Sequence, residues 1–288
     1  MGTTLRQVLG RSKAVDAPVL NRLGLQVART LGASARFHAT RWTAAPEVAP
    51  AVACLRRDGY AVVEGLFEPD ALDELAAVAA RVDADPDLPH DDNAQGANRL
   101  RVTWRADLSD ADRQVLDRFF LHPTVRALGE AAERLALDPG AGRCTVQNLV
   151  QESGEPDLEA QLHSDTFHPT HKIWLYLTDV EPDDGPLLYY PGSHRLSVPS
   201  LRGTYADSVG DNVGARRIDP DEVAARHLEP AVLTCRRGTV VIANTIGYHG
   251  RVQGRPPGER LVLHIELRPD PFRRPRRLPT DTSHARGR

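Results

Sequence analysis

The second half of the chain, from about residue 142 to 268, is a series of short apolar or alternating runs separated by glycine and proline turns. Because the side chains of a strand alternate between its two faces, runs of this length and texture predict strands. Several short strands with such turns between them predict an antiparallel sandwich or barrel. The runs lie at 144–151, 172–180, 186–190, 238–243 and 260–267.

The first half of the chain has a different pattern, because its apolar residues recur at helical spacing. One short strand is predicted at 60–64, and helices are predicted over 47–57, 69–82, 110–120 and 123–137. The expected fold is therefore α+β with a mainly β core, and the N-terminal helices pack on one face of that core.

Residues 1–45 are basic and helix-prone, with an apolar stripe formed by Val19, Leu20, Leu23, Val27 and Leu31. We expect this stripe to pack on its own domain, although such a stripe also suits a membrane or a partner. The expected organisation is a helical extension at 1–45, a main domain at 46–268 and a basic tail at 269–288. The tail is rich in Arg and Pro and is predicted to be disordered.

Two polar segments lack a regular period and predict loops. Residues 83–98 are rich in Asp, Pro and Gly and suggest a lid or a disordered loop, while residues 201–229 suggest an insertion in the β-core. Loops around a rigid core often carry substrate contacts. The candidates near these loops are Arg101, Trp104, Arg105, Tyr205, Arg216 and Arg217.

Charge and cysteine content narrow the class of protein. The 288 residues include 36 Lys+Arg and 39 Asp+Glu, giving a net charge of -3, which argues against nucleic-acid binding. The three cysteines are far apart and form no C-x-x-C pair, which favours a reduced, cytoplasmic setting. No apolar run reaches about 18 residues, so no stable membrane insertion is predicted. The sequence does not indicate an oligomeric state.

The strongest candidate for chemistry is the pair His163 and Asp165, which lie on one face if the backbone is extended. An imidazole and a carboxylate side by side suit a divalent metal. His249 follows the apolar run 239–243 and precedes a Gly/Pro turn, so it is the predicted third ligand. Two histidines and one carboxylate leave three positions open, which suits Fe(II), because substrate, co-substrate and O2 must share the metal.

Arg260 lies eleven residues after His249 and begins the next apolar run. A strand, a turn and a returning strand would bring its guanidinium back towards the metal. A fixed bidentate cation at that position would bind the far carboxylate of a dicarboxylate co-substrate.

The order of these motifs resembles the phytanoyl-CoA dioxygenase family. The resemblance covers residues 50–268 and implies a double-stranded β-helix (a jelly-roll, cupin-like core) and an oxygenase that depends on Fe(II) and 2-oxoglutarate. The matching elements are RRDGYAVVEGLF at 56–67, His163-x-Asp165, Gly185-Pro-Leu, Pro191-Gly-Ser-His194, His249 and Arg260.

The resemblance also implies a role for each residue of the set. His163, Asp165 and His249 would bind iron, and Arg260 would pair with the distal carboxylate of 2-oxoglutarate. Related halogenases have Gly or Ala at the aspartate position, so Asp165 favours oxygen insertion. The expected reaction uses O2 to hydroxylate an unactivated C–H bond of a small-molecule metabolite, with release of succinate and CO2. Desaturation, epoxidation and ring formation use the same metal ligands and stay open as alternatives.

Three further residues are candidates for binding the co-substrate. Gln147 lies on the strand before the metal motif, and relatives have polar co-substrate contacts at similar places. Lys172 begins a strand close to His163 and Asp165, where it would bind a co-substrate or substrate carboxylate. Arg251 stands two residues after His249, where relatives often carry serine. The remaining histidines nearby, His168, His171 and His264, are expected to be structural, and His194 is expected to stabilise its own turn.

Two other functions fit parts of the pattern. A metal-dependent hydrolase or isomerase on a cupin-type barrel could hold zinc or manganese at the same three residues without using 2-oxoglutarate. A non-catalytic binding or scaffold protein would have no need of three ligands and an arginine at this spacing, so the complete set argues against it.

Overall fold

The structure is a computed structural model that describes residues 15, 17–95, 98–152, 160–210, 215–272 and 277–280. Most of its helices precede the main run of strands, as the sequence predicts. The helices are α1 (Pro18–Arg22), α2 (Leu25–Ala39), α3 (Ala49–Asp58), α4 (Pro69–Ala84), α5 (Asp110–Phe120), α6 (Pro123–Glu133), α7 (Val198–Val209) and α8 (Pro220–Ala225).

The strands form two antiparallel sheets, with a single parallel pairing. They are β1 (Tyr60–Val63), β2 (His90–Gln95), β3 (Asn98–Trp104), β4 (Ala136–Val150), β5 (His163–Ser164), β6 (His171–Tyr176), β7 (Leu187–Tyr189), β8 (Arg216–Arg217), β9 (Ala231–Leu233), β10 (Val240–Asn244), β11 (His249–Arg251), β12 (Glu259–Leu267) and β13 (Arg277–Thr280).

The larger sheet has eight strands in the order β1-β10-β6-β12-β4-β3-β2, with β13 paired in parallel to β4. The smaller sheet has five strands in the order β8-β5-β11-β7-β9. Apolar residues of both sheets, such as Tyr176, Val262, Leu187 and Tyr189, share one buried cluster, so the sheets face each other. This is the predicted double-stranded β-helix.

A second and larger core lies between the helices and the outer face of the larger sheet. Helix α4 illustrates how the sequence builds this layer. Pro69 begins the helix where a missing N–H costs nothing, and Asp70 lies in the first turn, where its charge favours the helix dipole. The buried residues of α4 recur at helical spacing and are Leu75, Val78, Ala79 and Val82.

Both segments predicted as loops contain regular structure. Residues 83–98 include β2, which pairs with β3 into a hairpin, and β3 in turn extends the larger sheet beside β4. Backbone pairing at a sheet edge overrides the polar composition that predicted a loop; residues 96–97 lie outside the described residues. The insertion at 201–229 holds the end of α7, strand β8 and helix α8.

The apolar stripe of the N-terminal segment does not pack on the domain. Val19, Leu20, Leu23 and Leu31 are exposed, and Leu23 exposes 80 % of its surface. The buried residues of α2 are instead Gln26, Arg29, Thr30 and Ala33. The prediction was wrong because the inward side of this helix faces α7 across a cavity with mostly polar lining residues, which Gln26 and Thr30 help to line.

Two element ends also differ from the predictions. Helix α6 stops at Glu133, because Arg134 adopts a left-handed conformation with φ of 54°, and β4 then begins before residue 144. In the tail, β13 is ordered against β4, while residues 273–276 and 281–288 lie outside the described residues. The proposed division into an extension, a main domain and a tail stays a prediction. Among the described helices, none has the length and apolar character needed to cross a membrane.

Candidate metal and co-substrate site

Two histidines face each other between neighbouring strands of the smaller sheet. His163 on β5 pairs directly with His249 on β11, and their ring centroids lie 4.4 Å apart. Each ring makes the same local contact: Nδ1 of His163 lies 2.8 Å from the carbonyl oxygen of Gln161, and Nδ1 of His249 lies 2.8 Å from that of Gly247. An Nδ1–H that donates to a carbonyl leaves Nε2 as the basic nitrogen, which is the tautomer that a metal requires.

Asp165 follows β5 and lies beside both Nε2 atoms. Its Oδ1 is 3.5 Å from Nε2 of His163, and its Oδ2 is 3.7 Å from Nε2 of His249. The backbone N–H of Asp165 donates to the carbonyl oxygen of Thr245 at 2.9 Å, which ties the residue to the segment before His249. The three side chains are therefore held by backbone pairing on both sides.

The charges of these groups suit a divalent cation. Burial would raise the pKa of Asp165, but the Lys172 ammonium and the neighbouring histidines outweigh it and hold that pKa well below its usual value. Burial, together with His163, lowers the pKa of His249, although Asp165 partly opposes this effect. The site thus offers an ionised carboxylate and a neutral imidazole at neutral pH.

The donor atoms fit a metal of the Fe(II) type. One ligand atom from each of His163, Asp165 and His249 lies within 4.8 Å of the others. Oδ2 of Asp165 lies 2.7 Å from Nζ of Lys172, which leaves Oδ1, 3.5 Å from Nε2 of His163, as the carboxylate oxygen that a metal can use. Two imidazoles and one carboxylate are the donor set of non-haem Fe(II) oxygenases.

Lys172, on β6 of the larger sheet, reaches this carboxylate from the opposite sheet. Its Nζ lies 2.7 Å from Oδ2 of Asp165 and 3.8 Å from Oε1 of Glu266. The contact is an ion pair and not a linear hydrogen bond. Lys172 therefore lies close to His163 and Asp165, as predicted, but its contacts are with two carboxylates of the chain itself.

Arg251 and Arg260 both lie against Gly185. Arg260 donates to the carbonyl oxygen of Gly185, and a Cβ at Gly185 would come within 3.0 Å of Cδ of Arg251. Gly185 has φ of 73°, so both its conformation and its close neighbours favour glycine. Arg251 is two residues beyond His249 on the same face of β11. The side chains of Arg251 and Arg260 therefore meet at Gly185.

Gln147 contacts other side chains of the larger sheet. Its Nε2 lies 2.9 Å from Nδ1 of His264, and Oγ1 of Thr145 lies 3.2 Å from the same nitrogen. Burial is the main cause that lowers the pKa of His264 to about 3, so the ring is neutral. His264 thus has a structural partner on β4, and a co-substrate contact of Gln147 stays a prediction.

The other histidines are also held by the protein. His171 uses its backbone N–H and Nδ1 to contact Oε1 of Glu133, each at 2.9 Å. His168 lies with Nδ1 at 3.1 Å from the carbonyl oxygen of Pro169. Nε2 of His194 is 3.3 Å from the carbonyl oxygen of Arg56, so His194 joins its turn to the end of α3.

A polar cavity touches Asp165 from the side of the N-terminal helix. Arg216, a predicted substrate contact, lines this cavity and pairs with Glu222. The sequence analysis did not identify the other polar residues that line this cavity. Two of them lie four residues apart on α2, opposite the apolar stripe, and this spacing could have indicated a buried polar face. These residues are Gln26 and Thr30 of α2 and Ser200, Thr204 and Asp207 of α7.

The other predicted substrate contacts have structural partners. Arg105 forms an ion pair with Asp117 of α5. Trp104 donates to Asp91 at 2.7 Å and lies under the guanidinium of Arg143. Tyr205 donates to the carbonyl oxygen of Arg22, which joins α7 to α1. Arg101 donates to the carbonyl oxygen of Asp83, and Arg217 pairs with His163 in register.

Known proteins share both the sequence pattern and the fold. The family model of phytanoyl-CoA dioxygenase (PhyH) matches residues 55–251, which is more than half of the chain. An ectoine dioxygenase of Nocardia farcinica is 24% identical over 251 residues, covering 78% of this chain and 80% of that protein.

Two solved structures have the same fold. EctD from S. alaskensis with bound Fe has a TM-score of 0.60 and 20% identity, covering 84% of each chain. The non-heme alpha ketoglutarate dependent epimerase SnoN from nogalamycin biosynthesis has a TM-score of 0.57 and 20% identity, covering 78% of this chain and 86% of its own. At this level of identity the likeness concerns the fold alone.

Proposed function

Since the chain belongs to the phytanoyl-CoA dioxygenase family, we propose that His163, Asp165 and His249 hold its iron and that Arg260 binds the distal carboxylate of 2-oxoglutarate. The protein is an Fe(II)- and 2-oxoglutarate-dependent oxygenase with a small-molecule substrate. The observation that carries the assignment is the convergence of three ligand atoms within 4.8 Å, two of them on histidines with the required tautomer.

Each residue of the proposed site has a distinct task. When bound, iron supplies O2 activation coupled to the decarboxylation of 2-oxoglutarate to succinate and CO2. The three side chains would occupy one face of the metal and leave the other face open for co-substrate and O2. Arg260 would hold the far end of the co-substrate through paired N–H donors, which fixes its orientation. Arg251, which packs against the same glycine, supports a second cationic contact there.

The proposed reaction is hydroxylation of an unactivated C–H bond of a polar metabolite. Asp165 supports oxygen insertion because it fills the position that a halide would need. The polar side chains around the adjoining cavity support a polar substrate. Ectoine is a suitable first compound to test, since a relative that is 24% identical is an ectoine dioxygenase.

The decisive experiment measures succinate formation by the purified protein with Fe(II), ascorbate, 2-oxoglutarate and a panel that begins with ectoine. We expect turnover that requires both Fe(II) and 2-oxoglutarate, and its loss in Asp165→Ala. Asp87→Ala, which removes an exposed carboxylate far from the histidine pair in sequence, is the matched control and should keep full activity. Full activity in Asp165→Ala would overturn the ligand assignment.

The rival function is a cupin-type hydrolase or isomerase that does not use 2-oxoglutarate. Such an enzyme would have no use for a bidentate cation beside the metal, whereas Arg260 and Arg251 flank Gly185 here. Calorimetry separates the two functions: the oxygenase binds 2-oxoglutarate in a metal-dependent manner, and the rival does not bind it.

We also propose that the protein is cytoplasmic and does not bind nucleic acid. A cytoplasmic location is supported by the three cysteines, all of which are free thiols. The absence of nucleic-acid partners is supported by the net charge of -3.

A further inference from the structure

The ammonium group of Lys172 lies between the two sheets, close to the carboxylates of Asp165 and Glu266. In the sheet register it stands beside Glu266 of β12 on one side and Ala243 of β10 on the other. Ala243 has no polar side-chain group, and among the described residues the ion-pair partners of the Lys172 side chain are Glu266 on the same sheet and Asp165 across the barrel. Its side chain exposes 20 % of its surface.

The carboxylate of Glu266 is itself held by arginines. Arg268 lies 2.6 Å from its Oε1, and Arg143 lies 3.2 Å from its Oε2. Charges therefore alternate from the surface inward, from arginine through Glu266 and Lys172 to Asp165. Burial lowers the pKa of Lys172, but Asp165 and Glu266 outweigh it and raise that pKa. Such an arrangement fixes the ammonium group in one place, since each charge compensates its neighbour.

A carboxylate can bind a metal through one oxygen or through both. If Asp165 used both, it would take a coordination position that the keto acid end of 2-oxoglutarate requires. A cation 2.7 Å from Oδ2 attracts that oxygen and repels a divalent cation from it. Oδ1, which lies 3.5 Å from Nε2 of His163, is thereby left as the oxygen that a metal can bind.

We propose that Lys172 is a positioning residue that keeps Asp165 a one-oxygen ligand and so preserves the coordination position for 2-oxoglutarate. This inference rests on the proposed ligand assignment. It differs from the role predicted for Lys172 from the sequence, because the lysine acts on the chain's own aspartate and touches neither co-substrate nor substrate.

The inference predicts a separation of two affinities. In Lys172→Met the side chain keeps its length and loses its charge, so Asp165 is free to bind through both oxygens. Metal affinity should be retained or rise, whereas the affinity of the metal-loaded protein for 2-oxoglutarate should fall about tenfold, the lower end of what such outer residues contribute. Lys172→Arg keeps a charge and should restore most of the 2-oxoglutarate affinity.

The experiment uses the full chain loaded with Co(II), an inert stand-in for Fe(II), without turnover. Calorimetry gives the Kd for Co(II) and then the Kd for 2-oxoglutarate, and the visible absorption of Co(II) reports its coordination number. The matched control is Arg57→Gln, which removes an exposed positive charge that pairs with Asp58, outside these alternating charges, and should leave both Kd values and the spectrum unchanged.

The outcomes separate this inference from the proposed site. Equal Co(II) affinity in Asp165→Ala and the unaltered protein would overturn the ligand assignment. If Asp165→Ala loses Co(II) while Lys172→Met binds 2-oxoglutarate with unchanged affinity and spectrum, only the role of Lys172 is overturned. Should Lys172→Met fail to fold, Lys172→Gln removes the same charge and keeps a polar end towards Glu266, and an unchanged 2-oxoglutarate Kd in that variant would count against the inference equally.

Discussion

The imidazole of His163 and the imidazole of His249 are bound to the backbone by the same device, an Nδ1 contact of 2.8 Å to the carbonyl oxygen two residues earlier. The two strands that carry them pair at this single position. The Nδ1 contacts and the strand pairing thus both fix the orientation of the two rings, and the positions of both Nε2 atoms do not depend on a bound ligand. A site with this degree of preorganisation spends little binding free energy on ordering its ligands.

Removal of either histidine should therefore abolish metal binding without unfolding the protein. We expect His163→Ala to reduce 2-oxoglutarate turnover to background, because two ligands do not hold a catalytic metal. Ser164→Ala is the control, since Ser164 is buried on the other face of the same strand and bonds to the carbonyl oxygen of Ile246 at 2.9 Å. Metal content and succinate formation are the measurements. A His163→Ala protein that keeps both would contradict the assignment.

Arg260→Gln should weaken 2-oxoglutarate binding while metal binding stays the same. The loss of charge-assisted hydrogen bonds to a carboxylate costs about 2 kcal/mol, or roughly a 30-fold increase in Kd. Calorimetry with the metal-loaded protein measures this change. Arg255→Gln neutralises an exposed arginine on the preceding turn and should have no effect. Equal 2-oxoglutarate affinities in the two variants would assign the carboxylate contact to another residue.

Stability should decrease on mild acidification, partly through His168. Burial lowers the pKa of His168 from its ordinary value of 6.5 to about 4, so the unfolded chain binds a proton more readily than the folded one. The free energy of unfolding is unaffected by this group above pH 6.5, falls by about 1.4 kcal/mol per pH unit below it, and levels off below the folded pKa.

Urea unfolding at pH 7.5 and pH 5.0 measures this dependence. In His168→Asn the amide N–H still reaches towards the carbonyl of Pro169, but the titrating group is gone. The difference between the two pH values should therefore be smaller in His168→Asn than in the unaltered protein. An identical difference in both proteins would show that His168 does not titrate on unfolding.

The exposed stripe of the N-terminal helices should contribute little to stability. Leu23 exposes 80 % of its surface and Leu75 exposes 0 %, although both belong to predicted apolar faces. We expect Leu23→Ala to change the free energy of unfolding by less than about 0.5 kcal/mol. Leu75→Ala should cost about 2–5 kcal/mol, because it leaves a cavity in the core under α4. Chemical denaturation compares the two, and a large loss in Leu23→Ala would mean that the stripe is covered in solution.

The β-core and the three proposed ligands could be predicted from the sequence because their signals are local or ordered. A histidine and an aspartate two apart, followed at a distance by a histidine at a strand end, need only an extended backbone to face one way. Arg260 was found in the same manner, by counting along the returning strand.

The contacts of Lys172 with Asp165 and Glu266 could not be predicted because these partners come from other strands. Nothing near residue 172 indicates that Glu266 stands beside it; only the register of β6 and β12 does. The buried face of the N-terminal helix was predicted wrongly for a related reason. An apolar stripe normally identifies the buried face, but the surface that α2 contacts is polar. Gln26 and Thr30 are therefore buried, and Leu23 is exposed. Tertiary surroundings decide which face of an amphipathic helix is buried.

Strand β8 sets a limit on how this enzyme can be shortened. It lies in the insertion between β7 and β9. Its Arg217 pairs with His163 on the edge of β5 that faces away from β11. Removal of the insertion to open the active site would expose the backbone of the strand that carries His163, a proposed metal ligand. Any reduced scaffold should therefore retain residues 216–217, and changes to substrate range are better made in α7, where the side chains can be exchanged and the edge stays paired.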